Sequence, residues 1–260
     1  LPICRNIGFD TRVGVYLDGV YLGQSSAVNQ ELVDLERVEV LRGPQGSLFG
    51  KNTVAGAINL ISKKPSEEFE GKLNGRFGNY GASQINAMFN VPLSDAVALK
   101  LSASGLARDG FYDDVLTGGE IGTRDSESWR AQLRVAASDK LELLFSADGL
   151  KTDQVPYSAE PLSDVFGVFF VDAEPDGRLA SDFNMPRDQR DLWGASMEAT
   201  YSLDNDMVVR SITSYRSSES TIDFDDADQL AIAVANYTDE YEQFTQELQL
   251  LSPEIGRAHV

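Results

Sequence analysis

Few residues in this chain have side chains suited to catalysis. One histidine, His259, and one cysteine, Cys4, lie near opposite ends of the 260 residues. A serine or cysteine nucleophile needs a neighbouring base, and this histidine belongs to an off-pattern tail, which argues against nucleophilic catalysis. Residues 43–56 are spaced by glycines like a phosphate loop, but Asn52 stands where that loop requires serine or threonine. We therefore predict that the chain is not an enzyme and that it needs no cofactor.

An acidic run near residue 225 is a candidate for ligand binding. Its members are Asp223, Asp225, Asp226 and Asp228. Carboxylates at alternate positions of a loop can bind a divalent cation. The run lacks the glycine of an EF-hand loop, and a solvated acidic loop is the simpler interpretation. We name these four aspartates as candidate ligand-binding residues and predict no metal site.

Composition and charge exclude two broad classes of protein. The formal net charge of −19 argues against nucleic acid as a partner, because a phosphate-binding surface needs clustered lysines and arginines. The only adjacent basic pair is Lys63-Lys64. Hydrophobic residues make up 42% of the chain and charged residues 24%, which excludes a wholly disordered protein. The excess of acid fits either solvated loops or attraction of cations and metal complexes.

The first 64 residues have the pattern of a small α+β unit. Asp18-Gly19 separates two β-rich runs within residues 13–22, and this dipeptide readily takes the positive φ angles of a type I′ hairpin. Residues 36–41 alternate as a strand, which the following Gly43-Pro44 ends. A helical turn at 47–51 and a closing strand at 55–61 complete the predicted unit.

From residue 70 onward, apolar and polar residues alternate with a period of two, so that each strand has one apolar and one polar face. We predict eight such strands, around residues 73–77, 85–91, 97–103, 129–135, 141–147, 195–203, 207–217 and 244–250. The polar faces include Arg130, Arg134, Glu198 and Glu247.

The predicted connections distinguish two architectures. Short turns at 93–96, 138–139 and 204–206 alternate with long polar loops at 108–128, 150–193 and 218–240, although the first loop, 79–82, is short. Short turns at one rim and long loops at the other are typical of transmembrane barrels. In such a barrel the apolar faces contact lipid and the polar faces line the lumen. A soluble β-sandwich with ordinary solvent-facing polar residues is the alternative.

The segment DLERVEVLRGPQGSLFGKNTVAGAINLISKKP, which begins at Asp34, resembles the end of the plug domain of TonB-dependent outer-membrane receptors. The resemblance implies a mostly β chain: the C-terminal part of a small α+β plug domain, then about eight antiparallel strands of a transmembrane β-barrel of about 22 strands. The implied divisions are a plug at 1–64, a linker at 65–69, barrel strands at 70–256 and an off-pattern tail at 257–260. The chain would then be a fragment that lacks the TonB box, the first part of the plug and the remaining strands.

The same resemblance implies a function. TonB-energised receptors in the outer membrane of Gram-negative bacteria import scarce large ligands, here most simply a ferric siderophore or another metal chelate. The implied partners are outer-membrane lipid, the ligand, and TonB through a segment that precedes this chain. The family pattern also implies a latch in which plug arginines Arg37 and Arg42 pair with barrel glutamates Glu198 and Glu247. A non-transporting β-rich surface protein with a binding or structural role is the alternative.

Overall fold

The structure is a computed structural model that describes residues 13–23, 33–50, 53–114, 117–156, 179–180, 186–225 and 234–253. The described part is almost entirely β, as predicted. In chain order its elements are β1 (Val13–Leu17), β2 (Val20–Tyr21), β3 (Leu35–Arg42), α1 (Gly46–Phe49), β4 (Gly56–Ser62), β5 (Glu70–Phe77), β6 (Ser83–Ser94), β7 (Val97–Arg108), β8 (Tyr112–Asp114), β9 (Glu120–Ile121), β10 (Arg124–Ser138), β11 (Leu141–Gln154), β12 (Leu179–Ala180), β13 (Arg187–Ser202), β14 (Val208–Asp225) and β15 (Val234–Leu251).

Strands β1 to β4 form a four-stranded sheet in the order β2-β1-β4-β3, which we call the small sheet. Asp18 and Gly19 join β1 to β2 with φ angles of 50° and 84°, so the predicted hairpin turn is present. Strand β1 pairs parallel with β4, and β3 pairs antiparallel with β4. The predicted helical turn corresponds to α1.

Eight strands form a second sheet in the order β15-β14-β13-β11-β10-β7-β6-β5, which we call the large sheet. Every neighbouring pair is antiparallel, so the chain runs up and down between adjacent strands. These are the eight strands that the period-two pattern predicts. The small third sheet, β12-β8-β9, lies within the predicted long loops and has no counterpart in the sequence analysis.

The strands next to the long connections extend further than predicted. Strand β14 continues to Asp225, and β15 already begins at Val234, so most of the predicted loop 218–240 is sheet. The predicted loops 108–128 and 150–193 are shortened in the same way by β10, β11 and β13. At these strand ends apolar residues no longer alternate regularly with polar ones, and a period-two pattern cannot mark a strand without that alternation.

The large sheet has most of its large apolar side chains on the exposed face and many polar side chains on the buried face. Among the described residues, exposed large apolar side chains occur on each of its strands except β14 and include Phe77, Ile85, Leu101, Trp129, Phe145, Met197 and Leu248. Buried polar side chains include Asn90, Lys100, Arg130, Gln132, Asp148, Glu198, Ser214 and Arg216. A protein folded in water shows the reverse distribution, whereas a barrel wall in lipid shows this one.

The small sheet packs against the polar face of the large sheet. A compact apolar cluster joins Val15, Leu17 and Leu22 of the first hairpin to Leu150 of β11 and Leu192 of β13. Each fully buried aliphatic side chain of this kind stabilises the packed state by about 1.5–3 kcal/mol. The hairpin is therefore anchored to the large sheet by apolar contact, and polar contacts surround that anchor.

Strand β4 ends at Ser62 and β5 begins at Glu70, so the change from the small to the large sheet occurs between them. The exact divisions at 64, 69 and 256 stay predictions. Cys4, His259 and the tail 257–260 lie outside the described residues. Within the described ranges, no helix is long and apolar enough to cross a membrane.

Candidate functional site

The contact between the small and the large sheet is the candidate site, and its centre is an ion pair. Asp18 reaches across to β10, where Nη2 of Arg130 donates a hydrogen bond to Asp18 Oδ2 at 2.6 Å. The same carboxylate accepts hydrogen bonds from the backbone N–H and the hydroxyl of Ser62 at 2.8 and 2.7 Å. Ser62 in turn accepts one from Gln132 Nε2 at 3.0 Å. The turn of the hairpin is thus tied to both β4 and the large sheet.

The ion pair continues along the buried face of the large sheet. Arg130 Nη1 also donates to Asp148 Oδ1 at 3.0 Å, and Arg216 Nη2 donates to Asp148 Oδ2 at 2.8 Å. The side chains of Arg130 and Asp148 are each 8% exposed. Charges this well buried are tolerated because each one faces an opposite charge, and removal of one partner would leave the other uncompensated.

A second ionic contact lies near the end of the small sheet. Lys64 Nζ is 3.1 Å from Glu198 Oε1 and 3.2 Å from Glu142 Oε1. Arg210 Nη2 donates to Glu198 Oε2 at 2.6 Å. Burial alone would lower the pKa of Lys64, but the attraction of Glu198 and Glu142 outweighs burial and raises that pKa above its ordinary value. Lys64 therefore stays charged and bridges β11 and β13.

A third ionic contact joins Asp34, just before β3, to the first strands of the large sheet. Its carboxylate pairs with Lys100 of β7 and with Lys72 of β5, the latter at 3.2 Å. Lys100 also donates to the backbone carbonyl of Lys63 at 2.7 Å. Burial alone would raise the pKa of Asp34, but hydrogen bonds and attraction from the two lysines outweigh it and hold the pKa below its ordinary value.

A cavity of about 830 Å³ separates the small sheet from β13, β14 and β15. Eight charged side chains line it: Asp18, Glu36, Arg37, Glu39, Lys64, Glu198, Arg210 and Glu247. Tyr16 also lines the cavity and donates its hydroxyl hydrogen to the carbonyl of Phe49 at 2.5 Å. Burial, then Tyr21 and Glu247, raise the pKa of Tyr16 to about 12, so the phenol stays a donor. The small sheet therefore meets the wall through separate contacts around a polar space.

Residues 4–57, which include β1, β2, β3 and the start of β4, match the family model of the TonB-dependent Receptor Plug Domain. This part of the chain is a TonB-dependent receptor plug domain, and the chain is similar to the receptors that carry it. Its small sheet is plug, and its large sheet is part of a barrel wall. Members of this family are receptors and transporters, in agreement with the prediction that the chain is not an enzyme.

Two curated relatives illustrate the similarity of this receptor chain to known proteins. It is 28% identical over 142 residues to the pesticin receptor of Yersinia pestis, an alignment that covers 54% of the chain and 21% of that receptor. It is 33% identical over 96 residues to the ferrichrome outer membrane transporter/phage receptor of Escherichia coli, covering 36% of the chain and 13% of the relative. These alignments span about a fifth or less of each curated relative.

Solved receptor structures share the fold. The ferric yersiniabactin uptake receptor FyuA from Yersinia pestis superposes with a TM-score of 0.79 at 24% identity, covering 95% of this chain and 37% of that one. The siderophore receptor PiuA from Acinetobacter baumannii superposes with a TM-score of 0.76 at 17% identity, covering 96% of this chain and 36% of that one. The eight-stranded sheet therefore corresponds to a partial receptor barrel.

The predicted latch residues occupy different positions in the receptor chain. Arg37 lies 2.7 Å from Glu36 and 2.8 Å from Glu39, both on its own strand, and Arg42 is exposed at the end of β3. Glu198 is buried on the inner face, where its plug partner is Lys64 and not an arginine. Arg37, Glu198 and Glu247 line the same cavity, whereas Arg42 does not contribute to its lining. The predicted arginine–glutamate pairing stays a prediction.

Two of the four candidate ligand-binding aspartates stand in a strand, and the proposed role of all four stays a prediction. Asp223 and Asp225 belong to β14, where Asp223 accepts a hydrogen bond from Asn236 of β15. Asp226 and Asp228 lie outside the described residues. Within the described part of the receptor, no group of three or more histidine, cysteine or acidic side chains could hold a metal ion.

Sequence reasoning missed the plug side of the observed contacts. The hairpin turn alone explains an aspartate at position 18. Asp34 and Lys64 stand at the ends of the plug motif. Nothing in a single sequence therefore marks these three residues as partners of the wall. Lys100 and Arg130 carried a usable signal, because both stand on the polar face of an alternating strand. An inward charge in a barrel wall needs an opposite charge nearby.

Proposed function

We propose that the receptor containing this chain imports a ferric siderophore or a similar metal chelate through the outer membrane of a Gram-negative bacterium. The carrying observation is a plug sheet held against the polar face of a barrel wall by hydrogen-bonded ion pairs, chiefly Asp18 with Arg130. The names of the relatives support the ligand class, since they include a catecholate siderophore receptor and a ferric yersiniabactin uptake receptor.

The outward residues of β13 support the membrane position. Trp193 and Tyr201 lie at two heights on the exposed face, and Ala195, Met197 and Ala199 fill the positions between them. Aromatic residues flank the apolar band of transmembrane barrels at both interfaces. The interval from 193 to 201 agrees with the roughly 9–11 residues that a tilted strand needs to cross the hydrocarbon. Residues 187–192 of β13, which precede Trp193, would then project out of the membrane towards the long connections.

The plug contacts suggest how transport is coupled to energy. The plug is attached by a small apolar cluster and by separate ion pairs around a cavity, so a limited pull can break a few contacts without unfolding the wall. We propose TonB as the source of that pull, acting through a segment that precedes the described plug strands. In the displaced plug, Arg37 would leave its ion pairs with Glu36 and Glu39 and pair with Glu247 or Glu198 across the cavity. We propose this change of partner as the form of the predicted latch.

Deletion of the complete receptor gene tests this function. We expect the deletion strain to lose energised uptake of one radioactive ferric chelate from a panel of catecholates, hydroxamates and mixed chelates. The complete gene should restore uptake in a strain that has TonB, but not in a strain that lacks it. Uptake of every chelate without change would instead indicate a surface protein that binds but does not transport, and restoration of uptake without TonB would contradict TonB as the source of energy.

A further inference from the structure

Two arginines face each other on the inner face of the wall, at the end that carries the long connections. Arg108 is the last residue of β7, Arg124 is the first residue of β10, and the two are direct cross-strand partners. Arg108 is an even number of positions from Lys100 and Ser104 on β7, so it lies on the same face as these two residues, which are buried on the inner face. Directly opposed residues of an antiparallel pair point to the same face, so both guanidinium groups lie on the plug side.

This pair of like charges is not neutralised within the described part of the chain. There, neither arginine has a carboxylate within ion-pair distance, although the chain has 41 acidic and only 22 basic residues. Arg124 is close enough to repel Arg108. Asp125 follows Arg124 directly on β10, so it lies on the opposite, outward face. Opposed like charges destabilise a sheet unless an anion relieves them.

One aromatic ring contacts Arg108, and a second ring packs against the first. Its guanidinium carbon lies 3.8 Å from the centre of the Phe111 ring, and Tyr80 meets Phe111 edge to face at 4.8 Å. Arg108 Nη2 donates to the carbonyl of Gly122 at 2.5 Å, while Arg108 Nε is buried and has no acceptor. A buried donor without an acceptor is unfavourable, because it has lost its hydrogen bonds to water. The group is thus fixed and incompletely hydrogen-bonded.

We propose that Arg108, Arg124, Phe111 and Tyr80 form an anion-binding subsite that selects a negatively charged ferric chelate with aromatic donor groups. The opposed guanidinium groups supply the charge and directional N–H donors, and the exposed Tyr80 ring supplies a stacking surface beside them. Arg124 is exposed and the Tyr80 side chain is half exposed at the end of the wall that carries the long connections, which leaves both side chains open to a ligand there. This inference rests on the proposed function and specifies its ligand class.

The test compares two iron complexes on the purified full-length receptor. The probes are a trianionic ferric tris-catecholate and an uncharged ferric tris-hydroxamate, with binding followed by quenching of protein fluorescence. The variants are Arg108→Gln, Arg124→Gln and Phe111→Leu. Arg187→Gln is the matched control, because it removes the same charge at the same end of the wall from an exposed pair with Asp153.

We expect the receptor to prefer the tris-catecholate, and each arginine variant to weaken that binding about tenfold, equivalent to about 1.4 kcal/mol. Binding of the hydroxamate should be unchanged in the variants, and Arg187→Gln should retain the preference. If the receptor binds the catecholate and both arginine variants bind it equally well, the subsite is overturned and the proposed function stands. If it binds only the hydroxamate, the subsite is again overturned. Binding and uptake of no ferric chelate at all would overturn both.

Discussion

Asp18 and Arg130 are joined by a 2.6 Å hydrogen-bonded ion pair although 112 positions separate them in the chain. Their side chains are 16% and 8% exposed. Asp18 sits in a tight turn of the plug, and Arg130 sits in the middle of the wall strand β10, directly opposite Asp148 of β11. The pair therefore attaches the first hairpin of the plug directly to the wall.

Substitution of Asp18 by asparagine should loosen the plug without disturbing the hairpin. Asn-Gly is as suitable as Asp-Gly for this turn, so the change removes the charge and keeps the backbone. Breaking a buried ion pair by removing one partner costs about 3–5 kcal/mol. In the full-length receptor we expect faster proteolysis of the plug and greater entry of a large antibiotic that general porins exclude.

Glu36→Gln is the control for that experiment. It also removes one carboxylate from an ion pair of the plug, but both members of that pair, Glu36 and Arg37, are half exposed. Exposed pairs contribute little to stability, so proteolysis and leakage should match the unmodified receptor. Equal effects of Asp18→Asn and Glu36→Gln would show that burial of the Asp18 pair has no special role.

Acidification should weaken the attachment that Asp34 makes to Lys100 and Lys72. The pKa of Asp34 is lowered in the folded receptor, so its contribution to stability is present above the ordinary value near 3.8 and is lost as the pH falls through the lowered value. Protease resistance of the plug should therefore differ between the receptor and Asp34→Asn at neutral pH. That difference should shrink below about pH 4. A difference that persists unchanged in acid would exclude Asp34 as the titrating group.

Gly149→Ala should destabilise the wall beside Trp129 and Trp193. Gly149 is the cross-strand partner of both Trp129 and Trp193, and a Cβ atom there would lie 2.5 Å from Trp129 Nε1. Forcing such a contact typically costs about 1–3 kcal/mol. Gly105→Ala on β7 is the matched control, since nothing lies within 4 Å of its Cβ position. Resistance of the folded barrel to heat should fall for the first variant only.

Glu247→Ala tests the proposed latch across the cavity. Glu247 lines the same space as Arg37, and in this arrangement its side chain accepts a hydrogen bond from Gln249 at 2.6 Å. If Arg37 uses Glu247 when the plug is displaced, the variant should raise plug mobility or passive leakage. Identical antibiotic leakage and plug proteolysis in Glu247→Ala and the unmodified receptor would remove Glu247 from the latch.

The sequence predicts the wall better than it predicts the contacts of the plug. Strands such as β10 and β13 are visible because apolar and polar residues alternate wherever lipid touches one face. Residues 187–191 at the start of β13 are polar on both faces, so the alternation ends there and the predicted strand limits are several residues too short. Partners such as Lys64 and Glu198 are 134 residues apart. Their pairing depends on how the plug docks, which no local pattern specifies.

A double-mutant cycle of Asp18→Asn and Arg130→Gln in the full-length receptor tests the central claim that buried charges hold the plug in the wall. The quantity to measure is the free energy of plug release, from the protease resistance of the plug in both single variants and the double variant. Residues in direct contact show coupling of about 0.5–3 kcal/mol. We predict coupling in this range, with the double variant less impaired than the sum of the single variants. Strictly additive effects would contradict the claim.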